Sequence, residues 1–339
     1  MGCRAAARGP GFDLAVPAGG YAWWYVDALS DVQPDGSVQA LTLIVFIGSV
    51  FSPYYAWARR RLGDDGAPAQ AHCAINVSLY QRAPGDGGFS RLWTMTERGQ
   101  ETLARDGLHL SIGPSSLQWL PDGSLQIDLD EWTVPFPQRV RGRITVRPGA
   151  MPGWAFALDP GGLHHWQPIA PASRVEVDLA SPRRRWQGEA YLDANHGSRP
   201  LARDFLSWQW QRTTRHDGRT TLLYDVVPRC GASEALALSI DTDGRLSVQP
   251  PPPRQPLPRS GWRVERHTLG LAPPQLLATL ESGPFYCRSL LREGDSGALA
   301  MHESLSLQRF DQHWVQALLP FRMPRRRGGS LAVQAARSR

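Results

Sequence analysis

The chain has 339 residues and a formal net charge of +6, with 37 Lys+Arg against 31 Asp+Glu. All of the basic residues in that count are arginine. A hydrophobic share of 42% with 20% charged residues excludes an extended disordered or fibrous chain, and the length suits two domains of about 150 residues each.

The cysteines at 3, 73, 230 and 287 have no CxxC spacing, which argues against a zinc site or a dense disulfide framework and fits a reducing cytoplasm. The first residues, MGCRAAARGPGFD, lack the apolar core of a secretory signal. Ala6 stands where an acylation motif wants Ser or Thr. The longest apolar run, residues 41–50, is too short to cross a bilayer as a helix. Arginine triplets at 59–61, 183–185 and 325–327 read either as solvated loop charge or as contacts for anionic lipid. No nucleic-acid partner is expected, because no recognition helix, zinc finger or stacking platform accompanies the charge. The 13 tryptophans are the compositional outlier and suit an apolar pocket, a membrane interface, cation stabilisation or a Trp-rich β core.

In chain order, residues 21–26 are aromatic and β-branched. Residues 41–47 form a continuous apolar run, as in a strand covered on both faces, and a turn at Pro34, Asp35 and Gly36 joins the two as a hairpin. Pro53 ends the second strand, and Tyr54, Tyr55 and Trp57 follow. Strands are predicted at 72–80 and 91–99, separated by turn residues 84–88. Asp122-Gly123 marks a tight hairpin that leads into Leu125, Ile127 and Leu129 on one face. After Pro171 a new sheet is expected, with Val175, Val177 and Leu179 alternating against charge. Further strands are read at 205–212, 220–229, 235–248 and from 261 to 310. The proline-rich run 248–260 reads as a stiff exposed connector. No helix-length period of 3.6 intervenes, so the expected fold class is all-β with very little helix: two antiparallel barrel or sandwich domains, 1–178 and 179–325, and a loose basic tail 326–339.

The most unusual chemistry lies in residues 161–210. His164 and Trp166 are two apart, as are Tyr191 and Asp193, so in extended chain each pair points to one side of its strand. An acid, an imidazole and two rings suit protonation of an apolar substrate followed by capture of a carbocation by water. Asp193 would serve as the acid if burial raised it from its ordinary value near 3.9. Equally, Asp193 and Asn195 can be read as turn residues. Trp166 and Tyr191 suit either a cation-facing role or the core. His164 suits orienting the acid, positioning water or acting as the base that activates it, or a purely structural place. Adjacent His164 and His165 lack helical zinc spacing, and GxGxxG, P-loop, GxSxG and HExxH motifs are absent, so no cofactor or metal is expected.

Several longer strings carry a resemblance: GYAWWYVDALS, FIGSVFSPYYAWAR, HCAINVSLY, WTMTERG, GPSSLQW, AYLDANHG, WQW, HESLSLQRF and LPFRMPR. Together they resemble the acyclic carotenoid 1,2-hydratases, or hydroxyneurosporene synthases, of phototrophic and other pigmented bacteria, over nearly the whole chain. The resemblance implies two lipocalin-like β domains and a cofactor-independent hydro-lyase. Its reaction would add water across the terminal C1–C2 double bond of an acyclic carotenoid such as neurosporene or lycopene, giving a tertiary 1-hydroxy product. It also implies a catalytic set of His164, Trp166, Tyr191 and Asp193. On that reading Asp193 protonates C-2, Trp166 and Tyr191 face the cation at C-1, water near His164 attacks, and His164 or Asp193 takes up the released proton.

A polyene must be delivered from a membrane. Peripheral contact with lipid at the cytoplasmic face of the inner, photosynthetic membrane is therefore expected, through Tyr54, Tyr55 and Trp57 with an arginine cluster. The rival readings are a non-catalytic lipocalin-like carotenoid or lipid carrier and a terpenoid cyclase or isomerase. No motif specifies an oligomeric state.

Overall fold

The structure, a computed structural model, describes residues 8–31, 33, 36–82, 88–215 and 217–326. Cys3, the turn residues Pro34, Asp35 and 84–87, and tail residues 327–339 lie outside the described residues.

The strands are β1 (Tyr21–Ser30), β2 (Val38–Ile47), β3 (Cys73–Arg82), β4 (Ser90–Arg98), β5 (Leu103–Arg105), β6 (His109–Ile112), β7 (Ser115–Trp119), β8 (Leu125–Trp132), β9 (Arg139–Pro148), β10 (Phe156–Ala157), β11 (His164–Ser181), β12 (Arg183–Gly197), β13 (Phe205–Thr214), β14 (Thr220–Pro228), β15 (Glu234–Ile240), β16 (Leu246–Gln249), β17 (Arg254–Leu257), β18 (Arg266–Leu269), β19 (Gln275–Ser282), β20 (Tyr286–Arg292), β21 (Leu299–Ser306) and β22 (Arg325–Arg326). The all-β expectation holds. A first sheet runs β22-β4-β3-β2-β1-β12-β11-β9-β8-β7-β6-β5, with β10 beside β11; a second runs β16-β15-β14-β13-β21-β20-β19; β17 and β18 form a separate ribbon.

Period-two alternation explains how the layers meet. In β1, Ala22, Trp24, Val26 and Ala28 join one core, while Tyr21, Trp23 and Tyr25 join another. The first core is enclosed by the first sheet, which curls until Arg98 on β4 reaches Glu131 on β8 at 2.7 Å. The second core is the layer between the sheets, where Trp208, Trp210 and Tyr224 meet the opposite face of β1 to β4 and β12. Strands apolar on both faces, such as β2, are those lying between the two cores.

Residue 178 lies inside β11, whose pairing with β9 and β12 runs across it. The chain passes from the first sheet to the second between Gly197 and Phe205, through a short turn at Leu201–Arg203. The expectation that a new sheet begins after Pro171 is therefore corrected: β11 and β12 extend the first sheet, because a long hairpin keeps pairing with β9 and β1.

Two local expectations are also corrected. Pro53 opens helix α1 (Pro53–Leu62) and does not end the strand before it, which stops at Ile47; Ser52 Oγ accepts from the Tyr55 N–H at 3.1 Å, and proline at the first position lacks only an N–H that would be unpaired there. Tyr55 thereby turns inward, fully buried, with its hydroxyl donating to the Gly20 carbonyl at 2.8 Å, so it is not an exposed aromatic. The proline-rich run contains strand β17, since a two-stranded ribbon has free edges that tolerate Pro256. Two short helices, α2 (Leu307–Phe310) and α3 (His313–Leu318), follow β21.

Asp27 on β1 and Arg212 on β13 form a fully buried ion pair that ties the sheets together. Breaking such a pair from one side strands a buried charge, at a cost of about 3–5 kcal/mol. Arg212→Met is expected to lower unfolding stability by that amount in denaturant titration, and adding Asp27→Asn to it should recover most of the loss.

Candidate active site

Between the sheets lies a cavity with about 1040 Å³ of empty space, mouth included. Aromatic rings dominate its wall, among them Trp23, Tyr25, Trp208, Trp210 and Tyr224, and Asp193 lines it. The odd-numbered residues Tyr191, Asp193 and Asn195 of β12 all point into this layer, because Ala190, Leu192 and Ala194 are taken by the first core. AYLDANHG is thus a strand, and the turn alternative for Asp193 is excluded.

Three of the four expected site residues come together. Asp193 Oδ2 accepts from Trp166 Nε1 at 2.8 Å and from the Tyr191 hydroxyl at 2.8 Å. Its Oδ1 has no hydrogen-bond partner among the described residues. Burial pushes the carboxyl up to about 8, against the lowering pull of those two donors, and the charges of Glu303 and Asp27 push the same way. A carboxylic acid of this kind is neutral at pH 7 and can release a proton to a substrate. Trp166 and Tyr191 are completely buried behind it, with Trp166 packed on Tyr224 and Tyr191 on Trp210. Their polar edges hold the acid.

His164 lies elsewhere. Its Nε2 is 2.7 Å from Asp204 Oδ2 and its Nδ1 2.9 Å from the Tyr21 hydroxyl. Burial lowers its proton affinity, so the neutral ring donates from Nε2 and accepts from Tyr21 at Nδ1. The ring packs between Tyr21 and Phe205 and does not belong to the cavity wall. Gly197 opposite it has no room for a side chain: a Cβ there would come within 2.7 Å of His164 Nδ1. His165 faces away and stacks on His196. Among the described residues, no group of three or more His, Cys, Asp or Glu is arranged to hold a metal ion.

The family model for the carotenoid hydratase CrtC matches residues 43–332. The chain belongs to that family. It is 51% identical over 325 residues to the acyclic carotenoid 1,2-hydratase of Thiocapsa roseopersicina, covering 94% of this chain and 76% of the relative. With the acyclic carotenoid 1,2-hydratase of Rubrivivax gelatinosus it shares 47% over 322 residues, covering the same 94% and 76%. The fold is also found in solved structures of low sequence identity. A putative AttH from Nitrosomonas europaea matches at 14% identity and TM-score 0.57, over 85% of this chain and 92% of that one. Kievitone hydratase from Nectria haematococca matches at 10% identity and TM-score 0.53, over 92% and 97%. The architecture of this CrtC-family chain is lipocalin-like, built from curled sheets.

Sequence reasoning did not single out the second set of polar groups in the wall: Tyr25, Arg288, Glu303 and Glu281. Tyr25 and Glu303 sit inside two of the strings that carry the resemblance, GYAWWYVDALS and HESLSLQRF. An acid within a strand otherwise buried on both faces was the available signal, and β21 reads buried from Ala300 to Leu305.

Holding this proton bears on stability. The unfolded chain ionises Asp193 near 3.8, while the folded chain holds the proton to about 8. The contribution of this group to stability is therefore full below pH 4, is lost progressively as pH rises from about 4 to 8, and changes no further above that. Asp193→Asn can keep both hydrogen bonds through its amide oxygen and has no charge to bury. It is expected to melt higher than the parent at pH 8, by an amount worth several kcal/mol, with the gap closing toward pH 4; thermal melts at the two pH values measure it.

Proposed function

We propose that this chain is an acyclic carotenoid 1,2-hydratase whose acid is Asp193. The observation that carries the reading is a neutral, buried carboxyl in an aromatic cavity, with one oxygen held by two donors and the other free. In this mechanism the Asp193 Oδ1 proton passes to C-2 of the terminal isoprenoid unit, and the positive charge settles on the tertiary C-1. The carboxylate left behind is stabilised at Oδ2 by the Trp166 N–H and the Tyr191 O–H. Those two side chains serve the acid, and the cation faces the rings that line the cavity, such as Trp210 and Tyr224. A desolvated ring contributes about 2 kcal/mol to a cation, roughly 30-fold in rate, so proton delivery must supply more. His164, tied to Tyr21 and Asp204, braces the end of β11 that carries Trp166. Water adding to C-1 completes the tertiary alcohol.

The substrate's insolubility places the protein at a membrane surface in this reading, peripherally and at the cytoplasmic face. Among the described residues no helix is long and apolar enough to cross a membrane. The contact we favour is the segment around α3: Trp314, Leu318 and Phe321 are exposed, Phe321 to 74%, and their neighbours Leu319, Arg322 and Met323 line the cavity. Binding to anionic vesicles is expected for the parent and is expected to fall at least several-fold for Leu318→Ser/Phe321→Ser in a flotation assay. Equal binding would remove this face.

Lycopene and neurosporene incubated with the membrane-bound protein in heavy-oxygen water test the reaction. The parent is expected to yield a labelled tertiary alcohol. Asp193→Asn should lose about 10²–10⁴-fold, the usual worth of a general acid. The parent rate should hold below pH 8 and fall above it as Asp193 loses its proton. Unchanged polyene bound by a folded parent would indicate a carrier, and an unlabelled rearranged product a cyclase.

A further inference from the structure

Hydration asks for two opposite services: a proton for C-2, and an acceptor for the proton that the incoming water sheds once it bonds to C-1. A second carboxylate stands in the same cavity wall as Asp193. Glu303 on β21 lies across the register from Trp210 on β13 and from Arg288 on β20. Its Oε1 is 2.8 Å from the Tyr25 hydroxyl, 2.9 Å from Arg288 Nε and 2.8 Å from Arg288 Nη2. None of these contacts engages Oε2. Trp210 Nε1, directly opposite in the register, is buried and has no acceptor among the described residues. Tyr25 joins the two carboxyl groups: it is the β1 partner of Asp193 in the sheet, and its hydroxyl reaches Glu303.

Resting on the hydratase reading above, we propose that Glu303 is the base that orients and deprotonates the water added at C-1, with Trp210 Nε1 donating to the same water. The two carboxyl groups divide the work by their partners. Among the described residues Asp193 has only neutral donors, whereas Glu303 is paired with a guanidinium. A difference in partners between neighbouring carboxyls is one way to separate acid and base roles in one site. The third acid in the wall, Glu281, is occupied at both oxygens: Oε2 lies 3.2 Å from the Tyr80 hydroxyl and 3.3 Å from Arg288, and Oε1 3.7 Å from Arg91.

The step balances. The water oxygen bonds to C-1, its released proton goes to Glu303 Oε2, and C-2 keeps the proton from Asp193. Exchange with water in the cavity returns a proton from Glu303 to Asp193 and restores both. Arg288 and Tyr25 are positioning residues.

Glu303→Gln keeps an oxygen for Tyr25 and Arg288 but cannot accept a proton. In deuterated, heavy-oxygen water this variant is expected to lose about 10²–10⁴-fold in alcohol formation while still placing deuterium in recovered polyene. That deuterium arises because a cation formed by Asp193 and not captured returns to alkene by losing a proton. Glu303→Ala is expected to regain hydration on addition of formate, a rescue that a structural role would not show. Hydration by Glu303→Gln within a few-fold of the parent would overturn the proposal. So would loss of both hydration and deuterium exchange in a folded, pigment-binding variant, which would place Glu303 in the acid step. A parent that makes no alcohol at all would instead overturn the hydratase reading.

Discussion

Asp193 is a carboxyl that the fold buries without giving it a cation among the described residues. Its neighbours in the layer between the sheets are treated differently: Asp27 has Arg212, and Glu303 has Arg288. Burying an ionised carboxylate without a counter-charge is costly enough that the group takes up a proton instead. Trp166 and Tyr191 supply hydrogen bonds but no charge, so they fix the orientation of the acid without ionising it. The rest of the site follows from that asymmetry, since an acid and a carboxylate can coexist in one small aromatic cavity only if their partners differ.

The asymmetry depends on a sheet with two buried faces. β1 and β12 send alternate residues to a conventional apolar core and to the layer between the sheets. Both faces supply burial that holds the strands in register. A one-residue slip would exchange the faces, placing Leu192 in the cavity and Asp193 in the apolar core. The long unbroken ladder between β1 and β12 guards against it. The cost of carrying neutral Asp193 falls on stability rather than on register.

Much of this was legible before any coordinates. The aromatic and β-branched runs marked the strands, and the two pairs separated by one residue, His164 with Trp166 and Tyr191 with Asp193, marked side chains sharing a face. What pair spacing could not convey was what each face meets. Trp166 and Tyr191 grip the acid with their polar edges, His164 is drawn away by Tyr21 and Asp204, and Tyr55 goes into the core because Ser52 and Pro53 start a helix there. Glu303, Arg288 and Tyr25 come from distant strands, so no local window could assemble them.

By itself the sequence determined the fold class, the strands and the family, because these rest on local periodicity and on long strings of side chains read in order. It also singled out Asp193 as the acid candidate. Only the tertiary structure decided that Asp193 is neutral, that Glu303 stands in the same cavity, and that the cavity lies between two sheets. Those properties depend on desolvation and on distances between residues far apart in the chain, and both come into being only when the second sheet closes over the first.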